Sequence, residues 1–82
     1  MDNMNFKATE QDIVWMKNLM SIIKDGGSWA TSFAVFQKQD DKTLLCIQDS
    51  YPNKTYVEKN VERVKIVCVV AGITFIDKRE KK

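Results

Sequence analysis

Thr55-Tyr56-Val57-Glu58-Lys59-Asn60-Val61-Glu62-Arg63-Val64-Lys65-Ile66-Val67-Cys68-Val69-Val70-Ala71-Gly72 decides the fold, because it carries two competing signals. Val64 to Val70 is rich in β-branched residues, which favour an extended chain. Read as a helix, the same stretch opens on Thr55 with Glu58 three residues on, the pattern of a capping box. It closes on Gly72, a residue suited to the left-handed helix stop. At 100° per residue, Val57, Val61, Val64, Cys68 and Ala71 fall within about 80° of one another, a coherent stripe for burial. Cap, stripe and stop agree with one another, and agreement across levels outweighs local propensity. The stretch is therefore expected to be a helix.

Working outward, Ile73-Thr74-Phe75-Ile76 reads as a short strand after that helix. Ser50-Tyr51-Pro52-Asn53-Lys54, with the only proline, reads as the loop before it. Two strands precede the loop. In Ser28–Lys38, period two sets Trp29, Thr31, Phe33 and Val35 on one face and Ala30, Ser32, Ala34 and Phe36 on the other. In Thr43–Asp49, Leu45 and Ile47 alternate with Leu44 and Cys46, and Gln39-Asp40-Asp41-Lys42 supplies the turn between the strands. The first helix is predicted over about 10–25. Thr9 and Asp12 form its capping box, and Ile13, Met16, Leu19, Met20, Ile22 and Ile23 cover about half its circumference. Asp25-Gly26-Gly27 stops it.

These elements predict a single α+β domain, 1–82, of order αββαβ. Two helices pack a three-stranded mixed sheet in two layers, with the last strand beside the first. Residues 1–8 are expected to fray, and 78–82 to form a basic tail. The sequence shows no repeat and no linker. No apolar run approaches the length of a membrane span, and the N-terminus lacks the pattern of a secretory signal. Two cysteines are too few for a secreted scaffold of this size, so a cytoplasmic protein with free thiols is expected.

The composition argues against most chemistry. The chain has no histidine, the commonest general base and metal ligand. Cys46 and Cys68 stand inside apolar runs with no activating base. Asp40-Asp41 and Asp49 lie at opposite ends of one strand, so they form no common metal site. Among Asp12, Asp25, Asp49, Glu58 and Glu62, nothing selects an acid–base pair. Gly26-Gly27 follows a helix and precedes a strand, the reverse of a phosphate-binding loop. The expectation is a protein that is not an enzyme and that uses no cofactor or metal.

Two binding readings remain. Net charge is only +2, but residues 1–50 hold five basic and seven acidic side chains, whereas 51–82 hold eight and four. An aromatic hairpin of Trp29, Phe33 and Phe36, with Lys38, Lys42, Lys78 and Arg79 around it, would suit single-stranded nucleic acid. No basic residue interrupts Trp29–Phe36, however, and no ribonucleoprotein motif accompanies it. The stronger reading is protein contact, with a host protein or with a second copy as a homodimer. On the second helix Ile66 stands about 180° from Val57, and Val69 and Val70 also leave the buried stripe. The sheet face carrying Ala30, Ala34 and Phe36, with Leu44, is likewise expected to be uncovered in part. A short, histidine-free chain with surplus apolar positions fits an inhibitor or regulator of the kind encoded by phages and other mobile elements.

Overall fold

The computed structural model describes residues 7–79. Most of the expected fraying segment and the tail residues 80–82 lie outside the described residues. The elements are α1 (Glu10–Asp25), β1 (Ser28–Ala30), β2 (Ala34–Asp40), β3 (Thr43–Asp49), α2 (Lys54–Ala71) and β4 (Thr74–Asp77).

The deciding stretch is helical. Val57, Val61, Val64, Val67 and Cys68 are its buried residues. Gly72 ends it at φ 77°, and its amide donates back to the carbonyls of Cys68 and Val69. An L side chain pays for this left-handed conformation, and glycine does not. The helix starts earlier than its sequence suggests. Asn53 is the cap, its Oδ1 accepting from the Tyr56 amide at 3.0 Å, so Glu58 is free for another task. At α1 the expected box is complete. The Asp12 amide donates to the Thr9 hydroxyl at 3.1 Å, and the Thr9 amide donates to Asp12 Oδ2 at 2.9 Å.

The sheet corrects the expected architecture. It has four strands in the order β1-β2-β3-β4, not three. The stretch read as one strand over Ser28–Lys38 is broken at Thr31-Ser32-Phe33 and folds into a hairpin. Ala30 pairs Val35 and Trp29 pairs Phe36, antiparallel. Thr31 makes the break. Its hydroxyl accepts from the amides of Phe33 (3.2 Å) and Ala34 (2.9 Å), and its own amide donates to the Ala34 carbonyl at 2.9 Å. A threonine hydroxyl competing for backbone amides turns a chain without glycine or proline. The hairpin places β1 on the outer edge of β2. β4 therefore takes the free edge of β3, parallel to it, with Leu44 opposite Phe75 and Cys46 opposite Asp77. The expected neighbour, the first strand, lies at the far side of the sheet.

Reversal at Thr31 also changes which side chains face inward. Phe33, Ala34, Phe36, Leu44 and Cys46 point to the helices and join Trp15, Leu19, Ile22 and the α2 stripe in one core. Rings run through it: Trp15 meets Trp29 edge to face at 6.1 Å, and Phe33 meets Phe36 at 5.9 Å. Both helices lie on this side. Val35, Leu45, Ile47 and Ile76 occupy the opposite sheet face and are half-buried.

Thr31→Val keeps the shape of the side chain and removes the oxygen that two amides donate to. The expected cost is about 1–2 kcal/mol in urea unfolding, against under about 0.5 kcal/mol for the exposed neighbour Ser32→Ala. Equal effects of the two changes would contradict the Thr31 turn.

Candidate functional site

Two ion clusters fix the frame on which any site is carried. Arg79 was expected in a solvated tail, yet its side chain is only 4% exposed. Its guanidinium donates from Nε and Nη2 to Asp77, from Nη1 to Asp49 at 2.9 Å, and from Nη1 and Nη2 to Glu58 at 2.8 and 3.1 Å. All five N–H donors are used, and the ends of β3, α2 and β4 are tied together. These hydrogen bonds, led by those to Asp77, raise the Arg79 pKa far above its ordinary value. In the first turn of α1, buried Asp12 accepts from Arg63 of α2, with Nε to Oδ1 at 2.9 Å. That bond outweighs burial and lowers the Asp12 pKa to about 2.

The two thiols are buried and unbonded, and desolvation pushes both up to about 12. Among the described residues no group of three or more Cys, Asp or Glu side chains is placed to hold a metal ion. No helix among them is long and apolar enough to cross a membrane.

The residues proposed for nucleic acid are not brought together. Phe33 and Phe36 are core residues at 3% and 0% exposure, and Trp29 is half-buried between Trp15 and Phe36. Lys38 is half-buried and paired with Asp41 at 3.4 Å. Lys42 is exposed in the β2–β3 turn, Lys78 is exposed beyond β4, and Arg79 is held by carboxylates. The residues proposed for protein contact divide. Ala34 and Phe36 are fully buried beneath the helices, and so is Leu44. Ala30 is exposed on the opposite sheet face. Ile66 is half-buried, and Val69 and Val70 are 57% and 38% exposed.

Ile66 and Val70 lie on the same flank of α2 as Arg63, the flank turned toward α1. The Asp12–Arg63 pair at one end, and a groove shared by Ile23 and Ala71 at the other, show that the helices run side by side in the same direction. On α1, Ile13, Met16 and Met20 fall within about 60° of one another, on the solvent side of its seam with α2. Ile66 and Val70 fall within about 40° of one another on the matching side of α2. Ile13 and Met20 are 47% and 55% exposed. The result is one apolar ridge along the seam. It runs into a surface groove of about 310 Å³ lined by Met20, Ile23, Ala71, Gly72 and Ile73, with Lys24, Asp41 and Lys42 at its rim. Val69 lies about 100° round α2 from Val70, on the flank away from α1.

Comparison with protein families, characterised proteins and solved structures finds no match. The ridge and groove therefore have to be read from their own chemistry. Charges of both signs flank them: Lys17, Lys24 and Glu10 on α1, and Lys59 and Glu62 on α2. Ile13 and Met20 were read in the sequence as part of the buried face of α1. An apolar arc spanning half the helix is wider than one sheet can cover, and that width was the available signal.

The Asp12–Arg63 pair gives a signed pH dependence. A carboxylate whose pKa is lower in the folded state stabilises above its ordinary value of 3.8 and loses that contribution as pH falls toward 2. Arg63 is more than a third exposed, so the stabilisation is about 1–2 kcal/mol. Wild type and Arg63→Gln, unfolded in urea, should differ by that amount at pH 6 and converge between about pH 4 and pH 2. A difference that stays constant over this range contradicts the assignment.

Proposed function

We propose that the chain is a non-catalytic protein-interaction module, of the inhibitor or regulator kind, that binds a partner protein through the ridge on its helix layer. The observation that carries this reading is Met20 and Val70 exposed on either side of one helix seam, with a groove at its end. Contiguous exposed apolar surface of this kind costs solubility and serves contact. Methionine adds adaptability, because its unbranched thioether refits to irregular surfaces. The seam suits an amphipathic helix laid along it, the helix-in-groove mode. The non-catalytic part rests on how the reactive groups are used. The thiols are buried with raised pKa values, and Asp12, Asp49, Glu58 and Asp77 are held by arginines.

Capture from the native host, followed by titration of the purified captured protein, tests the reading. Val70→Glu should weaken that binding by at least about tenfold, since it sets a charge in the apolar seam. Val69→Glu, on the other flank of the same helix, should leave it within about twofold. Binding equally sensitive to both changes, or to neither, overturns the ridge as the site.

A further inference from the structure

The sheet face turned away from the helices holds a second contact surface, and its chemistry says what covers it. Ladder partners share a face, so the pairs Ala30–Val35, Val35–Gln48, Gln37–Leu45 and Leu45–Ile76 set one continuous outer surface across all four strands. Ile47 joins it where the β2–β3 register shifts between Val35 and Phe36. Val35, Leu45, Ile47 and Ile76 stand in a row of half-buried aliphatic side chains, and none of them packs against the core. Strands covered on one side ordinarily alternate apolar inside with polar outside. Here the outside is aliphatic as well.

The body of this face carries no charge, in a chain where 29% of residues are charged. Its exposed polar members include Ser28, Gln37, Gln48 and Thr74, uncharged groups that donate and accept alike. A neutral aliphatic surface dotted with such groups suits a copy of itself, because a two-fold axis sets no like charges together. The rim carries Asp40 and Asp41 with Lys42 at one end, net negative, and Lys78 beside the Asp49–Arg79 pair at the other, net positive. Asp40 pairs Thr43 beside the β2–β3 turn. Lys78 follows β4 and shares a surface hollow with Ile47 and Gln48 at the far end. Two copies stacked with their strands reversed bring each Asp40 end over a Lys78 end, twice by symmetry.

From this geometry we infer that the chain forms a homodimer by packing the outer sheet faces of two copies together, in layers helix–sheet–sheet–helix. Strand lengths and spacing give the face a plan area of about 330 Å², and side-chain relief brings burial to about 1,000 Å² for the pair. That is the lower end for specific association, the class of reversible contacts. Twisted sheets stack face to face at about −30°, with their aliphatic side chains interleaved. The arrangement leaves both helix ridges facing outward and makes the dimer bivalent. The inference goes beyond the ridge reading and does not depend on it.

Sedimentation equilibrium over a concentration series tests it. The wild type should show a monomer–dimer equilibrium. Leu45→Lys, in the centre of the face, should abolish it while circular dichroism stays native. The ridge change Met20→Lys should leave it intact. The rim charges give an independent check, read beside urea unfolding of each variant because Asp40 also accepts from the Lys42 amide at 2.9 Å in the β2–β3 turn. Asp40→Lys and Lys78→Glu should each weaken the dimer several-fold, and the double reversal should restore it. Four results overturn the inference: a wild type that stays monomeric to about 1 mM, a dimer lost in Met20→Lys but kept in Leu45→Lys, a double reversal no better than the single changes, or higher oligomers in place of a closed pair.

Discussion

Two helices cover one face of a four-stranded sheet and no more, and this limit on coverage shapes the molecule. α1 and α2 lie side by side on the same surface, so the core forms between them and the inward side chains of β2 and β3. Among the described residues no further element covers the outer face of the sheet or the solvent side of the helix pair. In most small two-layer domains those surfaces turn polar. Here each keeps an aliphatic row, Met20 and Val70 on one side and Leu45 and Ile76 on the other.

The charged side chains that the core admits are structural. Arg79 gathers Asp49, Glu58 and Asp77 at the point where β3, α2 and β4 meet, and Arg63 reaches buried Asp12 across the helix seam. Each pair links elements far apart in sequence. Bidentate geometry and full donor use let the Arg79 guanidinium leave water without unpaired groups, whereas Arg63 stays more than a third exposed. Carboxylates held this way have their oxygens engaged by arginine N–H donors.

Much of the local structure was legible in the chain. The Thr9–Asp12 box, the α2 stripe and the Gly72 stop each arise from interactions within a few residues, and each appeared where its pattern predicted. The break at Thr31 was not legible, because a hydroxyl-mediated turn leaves no glycine or proline and the alternation runs on across it. That one turn moved Ala34 and Phe36 from a proposed surface into the core, added a strand, and displaced β4 to the edge of β3. The fate of Arg79 was hidden for a different reason. A basic residue near the end of a chain reads as solvated, and its three acidic partners lie from two to thirty residues away. Ile66, Val69 and Val70 were correctly set apart from the buried stripe, since that follows from helical angle alone. Their companions Ile13 and Met20 required knowing where α1 packs.

The account stands on apolar surface on two opposite faces of the described residues, one of them the proposed dimer face. Methyl NMR with a soluble paramagnetic agent, recorded on dilute and on concentrated protein, measures this directly. The account predicts that Met20 and Val70 methyls broaden at both concentrations, whereas Leu45 and Ile76 methyls broaden when dilute and are shielded when concentrated. Leu45 and Ile76 shielded equally at both concentrations, or broadened equally at both, would contradict it.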